Sequence, residues 1–166
     1  RRQRQMCIRD RRKQEHIISL LMPYKDRIRE LIDKGTLFLI TGNAIEIFGE
    51  SITDGDRVIP ALGIFDFTAT RYMNRERHNS QYIGTFVNDE GEEMTMLGHR
   101  SQFSFAYGDF SHKKWLDISI GIGMNPDTKD EGIHYNNFFA TYSLGPCLIM
   151  NPPFAKYLLR LFQYCR

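Results

Sequence analysis

Residues 36–49 constrain the fold more than any other part of the chain. Thr36-Leu37-Phe38-Leu39-Ile40 is a short, unbroken apolar run bounded by turn residues. Such a run fits a strand covered on both faces, as in a parallel sheet. Thr41-Gly42-Asn43 then makes a tight turn, and Ala44-Ile45-Glu46-Ile47-Phe48 reads as a helix that stops at Gly49. Upstream, residues 12–34 carry Ile17, Ile18, Leu20, Leu21, Ile28, Leu31 and Ile32 at helical spacing. Pro23 breaks this stretch and opens a second helix, and Gly35 is its left-handed cap. Helix, buried strand, sharp turn, helix is the grammar of a doubly wound α/β domain, whose ligands bind at the carboxyl ends of strands. The turn at residues 41–43 lies at one such end.

The middle of the chain has a different pattern. Residues 62–67, 80–87, 101–107, 117–122, 132–135 and 138–142 read as strands, and Asp89-Glu90-Gly91-Glu92 as a hairpin loop. Residues 153–162 read as a helix opened by proline. The expectation is a single three-layer α/β domain, flavodoxin-like in general shape, with a mostly parallel sheet extended on one side by antiparallel strands.

Charge is unevenly spread. Residues 1–13 hold seven basic residues and one acid, whereas the remainder carries 15 basic and 19 acidic residues, a net −4. A nucleic-acid function would rest wholly on the tail. Residues 1–11 read as an artefactual or disordered tail, and the domain as residues 12–166. No apolar run approaches the roughly 20 residues of a membrane helix. Cys7, Cys147 and Cys165 are too few and too scattered for a disulfide framework or a zinc site. No metal or cofactor is expected, and the setting reads as cytoplasmic.

A buried strand, sharp turn and helix make a nucleophile elbow when the turn holds Ser or Cys. The run Leu39-Ile40-Thr41-Gly42-Asn43-Ala44-Ile45-Glu46-Ile47-Phe48-Gly49 resembles the elbow of class I glutamine amidotransferases. The nearest branch is the cobyric-acid-synthase-like group, which includes the glutaminase subunit of lipid II isoglutaminyl synthase. Residues 63–67, 121–125, 130–137 and 141–146 match that branch in order. The resemblance covers residues 12–162 and implies a chain that lacks the family's first strand–helix–strand unit.

The departures fall on the chemistry. The family elbow reads Cys-Gly-Gly-Tyr-Gln, and its Cys attacks the glutamine amide. Gly42 occupies that Cys position, with Thr41 there if the alignment slides by one, and Glu46 stands where the family has Gln. The closing motif reads Thr-Tyr-Leu-His-Gly-Pro in the family, and Leu144 occupies the position of the activating His. Glycine offers no nucleophile and leucine no base. Cys147 and His134 read as packed structural residues, not replacements. His16, His78, His99 and His112 show no metal-ligand spacing. The resemblance places an arginine of the glutamine site, or of its route to the partner, within the Arg71, Arg75 and Arg77 cluster. Asn43, Arg75 and Arg77 are therefore the substrate-binding candidates.

The function implied is a catalytically degenerate amidotransferase-like domain, with glutamine as its candidate ligand. It would serve an ATP-dependent amidating synthetase of Mur-ligase-like or cobyrinate type as partner or scaffold. An active glutaminase subunit, supplying ammonia for a cell-wall precursor or corrinoid, and a small-molecule sensor are the rival readings.

Overall fold

A computed structural model describes the backbone of residues 2–164 and the side chains of residues 12–162. Helix α1 (Arg2–Leu21) meets a 3-10 turn (Met22–Tyr24) at Pro23, which has no N–H to continue the helical ladder. Helix α2 then opens at Lys25, two residues beyond the proline, and runs to Asp33. It ends as a Schellman motif. Gly35 takes φ +76°, its N–H donates to Ile32 O at 3.0 Å, and the Thr36 N–H reaches Leu31 O at 2.9 Å. The chain is thereby turned straight into β1 (Phe38–Thr41).

Three small sheets follow. The first has the order β1–β11–β10, where β10 is Ile133–Tyr135 and β11 is Phe138–Thr141. The second has the order β3–β2–β4–β7, from Arg57–Pro60, Ser51–Asp54, Phe67–Arg71 and Ser104–Gly108. The third has the order β6–β5–β8–β9, from Glu93–Gln102, His78–Val87, Leu116–Ile120 and Asp130–Glu131. Only the pairs β1/β11 and β2/β4 are parallel; every other pairing in these sheets is antiparallel.

A mixed α/β protein is therefore observed, and the mostly parallel sheet expected from the sequence is corrected to mixed and antiparallel sheets. The physical reason lies in the connections. A parallel pair needs a crossover of a dozen or more residues, usually a helix. Between α2 and the short α3 (Cys147–Met150) no α-helix occurs, and the sequence-consecutive strands that pair, β2/β3, β5/β6, β8/β9 and β10/β11, all pair antiparallel.

The first sheet separates two apolar clusters. Phe138, Phe38 and Ile40 pack to one side with Ile45, Phe48, Leu62, Phe65 and Tyr142. Phe139, Leu37 and Leu39 pack to the other with Phe86, Trp115, Phe154 and Tyr157. Helix α4 (Pro152–Tyr164), foreseen at residues 153–162, covers this second side with Phe154, Tyr157 and Leu158. Both faces of β1 are thus engaged, as its apolar run implied. The strand itself is only half-buried because it lies at the sheet's edge.

Several local expectations change. Residues 62–66 are not a strand, because Gly63 turns at φ +58°, and β4 begins only at Phe67. Their N–H groups cover the end of the elbow turn instead: Leu62 donates to Ile47 O at 2.9 Å, and Ile64 and Phe65 both donate to Phe48 O at 3.0 Å. The strand foreseen at residues 101–107 breaks at Phe103 into β6 and β7, which serve different sheets. The helix foreseen at residues 44–48 is a 3-10 turn over Gly42–Phe48. The hairpin at residues 89–92 forms as expected, joining β5 to β6. The reading of residues 1–11 as an artefactual or disordered tail lies outside the described side chains; the backbone of residues 2–11 belongs to α1.

A buried ion pair ties the third sheet to β11. Arg100 Nη2 lies 2.8 Å from Glu131 Oε2, and both side chains are fully buried. Arg100 Nη1 donates to Gly123 O at 2.5 Å, and its guanidinium sits over the Tyr82 ring. Glu131 Oε1 accepts from Thr141 Oγ1 at 2.7 Å and the Tyr142 N–H at 3.1 Å. Removing one partner strands the other charge in the core. Arg100→Met is expected to cost about 3–5 kcal/mol, and Arg100→Met with Glu131→Gln to cost less than Arg100→Met alone. Urea unfolding of both variants checks this.

Candidate functional site

The site grows from the register of β1 on β11. Thr41 lies opposite Thr141 in this parallel pair. One residue further, the Gly42 N–H donates to Ser143 O at 2.9 Å. Gly42 takes φ +63°, the left-handed region that a side chain enters only with strain. A sharp strand-to-helix turn with such strain is the geometry of a nucleophile elbow. Here glycine relieves the strain and supplies no nucleophile.

Gly42 and Leu144 stand 102 positions apart in sequence and are neighbours in space. A Cβ placed on Gly42 would lie 2.9 Å from Leu144 Cδ2. Leu144 is anchored from behind, its N–H donating to His99 O at 2.8 Å. Ser143, the residue before it, is fixed by Tyr82, whose hydroxyl is 2.8 Å from Ser143 Oγ. The Ser143 N–H also donates to Thr141 Oγ1 at 3.0 Å. A buried polar chain from Arg100 through Glu131 and Thr141 to Ser143 thus positions the Leu144 backbone.

Behind the turn, Glu46 is completely buried. Its Oε1 accepts hydrogen bonds from Ser104 Oγ and, at 3.3 Å, from the Tyr142 hydroxyl. Its Oε2 accepts from Gln14 Nε2 at 3.1 Å. Burial pushes the Glu46 carboxyl above its ordinary value, while the bonds from Ser104, Gln14 and Tyr142 and the charge of Arg71 oppose that shift.

Beside the turn lies a cleft of about 220 Å3, lined among others by Gln14, Asn43, Ala44, Arg71, Arg77 and Gln102. The candidate residues divide here. Asn43 and Arg77 line the cleft. Arg75 does not; it stacks on the Tyr72 ring at 4.5 Å. Arg71 is buried and pairs with Asp54 at 3.1 Å. Arg77 donates to Ser101 O at 3.0 Å. His134 stacks on Phe139 with centroids 4.5 Å apart, away from turn and cleft, and burial pushes its imidazole down. Cys147 is a buried free thiol whose pKa burial pushes up, as suits an inert packed residue. Cys7 and Cys165 lie outside the described side chains. Among the described residues no group of His, Cys, Asp and Glu could hold a metal ion. No helix there is long and apolar enough to cross a membrane.

Sequence reading did not single out Gln14, Gln102, Arg100 or Glu131. Arg100 and Gln102 carried a signal, since both fall on the inward positions shared by Met94, Met96 and Gly98 along β6. Glu46 carried another, as a lone acid inside an apolar run.

No family model matches the chain. Over 140 residues it is 30% identical to the lipid II isoglutaminyl synthase (glutamine-hydrolyzing) subunit GatD of Staphylococcus aureus. That alignment takes in 84% of this chain and 54% of that protein, so the chain spans about half the length of the curated relative it matches. The match supports a glutamine-amidotransferase-like relationship.

Two outcomes follow from the geometry. Gly42→Ala is expected to destabilise by about 1–2 kcal/mol from backbone strain alone, with a further cost from the Leu144 contact. Leu144→Ala should remove that further cost and leave the strain, giving a non-zero coupling in a double-mutant cycle by urea unfolding. For Glu46, a folded value above the ordinary 4.5 means that ionisation costs the folded state. Its contribution is full below 4.5 and is lost as pH rises through the folded value. Glu46→Gln should therefore gain stability relative to the unsubstituted protein as pH rises above 4.5, by at most about 1.4 kcal/mol per pH unit. Thermal melts across pH 4–9 measure the gap.

Proposed function

We propose that the chain is a glutamine-amidotransferase-like domain that does not hydrolyse glutamine and serves an ATP-dependent amidating synthetase as partner or scaffold. The observation that carries this reading is the pair at the turn. Gly42 turns in the left-handed region with its N–H on Ser143 O, and a Cβ on it would lie 2.9 Å from Leu144 Cδ2, which supports reading the pair as the former positions of nucleophile and base. Amide hydrolysis through a covalent intermediate needs both a nucleophile and a proton acceptor within about 2.6–3.2 Å. A glycine hydrogen and a leucine methyl supply neither.

The similarity to a glutamine-hydrolyzing subunit of a lipid II isoglutaminyl synthase supports a synthetase partner, which in this reading is Mur-ligase-like and acts on a cell-wall precursor. A cobyrinate-type synthetase acting on a corrinoid acid is the second member of the same class. The setting that goes with this reading is the cytoplasm. Within such a complex, a subunit without its own dyad would hold the synthetase in a competent shape or report a bound ligand to it.

Incubation with glutamine, alone and with a candidate synthetase, should release no ammonia and should leave the two proteins co-eluting on size exclusion. Turnover at about 1 per second or faster, abolished by one substitution in this chain, would instead make it an active glutaminase. Gly42→Cys combined with Leu144→His should accept a glutamine-like electrophile on the new thiol without sustained hydrolysis. One missing oxyanion donor already costs about 100–1,000-fold, and Asn43-Ala44 replaces the paired glycines of the resembling elbow.

A further inference from the structure

The Gln14 side chain is held as a ligand would be. Its Nε2 donates to Asn43 O at 2.8 Å and to Glu46 Oε2 at 3.1 Å. Its Oε1 accepts from Arg71 Nη2 at 2.6 Å. The orientation is fixed by chemistry: a guanidinium only donates, and a backbone carbonyl only accepts. Two acceptors and one donor therefore converge on a single primary carboxamide and match its hydrogen-bonding groups. The three groups come from two parts of the chain. Asn43 belongs to the elbow turn, Glu46 to the buried end of that turn, and Arg71 to the end of β4. Glu46 and Arg71 are both buried, and each is braced independently of Gln14, by Ser104 and Tyr142 in one case and by Asp54 in the other.

Gln14 itself is only half-buried and forms one wall of the open cleft. In the same cleft Gln102 is 2% exposed. Its Nε2 donates to Ser104 O at 2.6 Å, and its Oε1 meets no donor among the described residues. A buried acceptor without a donor is costly, so Gln102 adds an unsatisfied polar atom close behind the cleft wall.

We infer that Glu46, Arg71 and the Asn43 carbonyl form a receptor for one primary carboxamide, and that Gln14 of α1 fills it as an internal ligand. The receptor discriminates by hydrogen-bond polarity. A carboxylate in place of the amide would set an oxygen, an acceptor, where the amide nitrogen meets Glu46 and Asn43 O, and a tertiary amide has no N–H to give them. While Gln14 is seated, a free amide is excluded; withdrawal of α1 would open the position beside Gly42. The inference goes beyond the scaffold reading and stands or falls without a synthetase or any turnover.

The test is thermal denaturation of the purified chain with four small probes: acetamide, glutamine, N,N-dimethylacetamide and acetate. The unsubstituted protein should respond to none specifically, because Gln14 occupies the receptor. In Gln14→Ala the side-chain amide is gone, and acetamide and glutamine should raise Tm saturably by about 5 °C or more. Dimethylacetamide and acetate should not. Gln14→Leu fills the same space without polar groups and should stay unresponsive to all four. If Gln14→Ala does not fold in buffer, acetamide should restore its refolding yield while dimethylacetamide leaves it unchanged. The absence of a response to acetamide in Gln14→Ala, or an equal response to acetamide and dimethylacetamide, would overturn the receptor.

Discussion

The parallel pairing of β1 with β11 sets the position of everything at the turn. Four residues of β1 are held in register with Phe138–Thr141, and the Gly42 N–H extends that ladder by one bond to Ser143 O. Without this pairing, Gly42 and Leu144 would have no reason to meet. With it, the left-handed turn at Gly42, the 3-10 turn that follows and the backbone of residues 141–144 are placed together. The pairing is in turn secured by side chains that alternate across the sheet. Phe38 and Ile40 go to one apolar cluster, and Leu37 and Leu39 to the other. A one-residue slip would exchange those faces and bury the wrong residues.

Two buried polar systems flank this pairing. Behind β11, Arg100 and Glu131 are both excluded from water. Such a pair adds little net stability compared with an apolar filling but penalises any arrangement that separates its members. Its bonds to Thr141 and Tyr142 hold β11 at one depth. Beside β1, Glu46 gathers Ser104, Tyr142 and Gln14. Helix α1 is thereby tied to the elbow through polar contacts as well as through Ile18 and Leu21. The turn keeps its left-handed backbone at Gly42 and is backed by ordered polar groups, with Leu144 packed beside the glycine.

Local signals in the sequence were strong where one residue decides the backbone. Pro23, Gly35, the 89–92 hairpin and the proline-opened α4 were all legible for that reason. The β2–β3 hairpin was missed although Asp54-Gly55 lies at its turn, with Gly55 at φ +64°. Sheet direction was not legible, because an apolar run such as residues 36–40 reports burial on two faces and is silent about the polarity of its neighbour. Gly42 and Leu144 could be paired from the order of the motifs. That Arg71 and Arg77 line the cleft while Arg75 does not could not be read, since the three differ only in how each is turned by its own strand or loop. Gln14 was illegible altogether: a polar residue on a basic helix has no feature that marks it for Glu46 and Arg71, 32 and 57 positions away.

The proposed degenerate elbow requires Gly42 and Leu144 to lie in contact. Nuclear Overhauser measurements between the Leu144 δ-methyl and Gly42 α protons, on a sample methyl-labelled at leucine, test this most directly. A strong cross-peak between them is expected. A Leu144 methyl that shows none to Gly42, and strong ones to residues of the third sheet's outer face such as Leu97 or Thr95, would contradict the placement and with it the degenerate elbow.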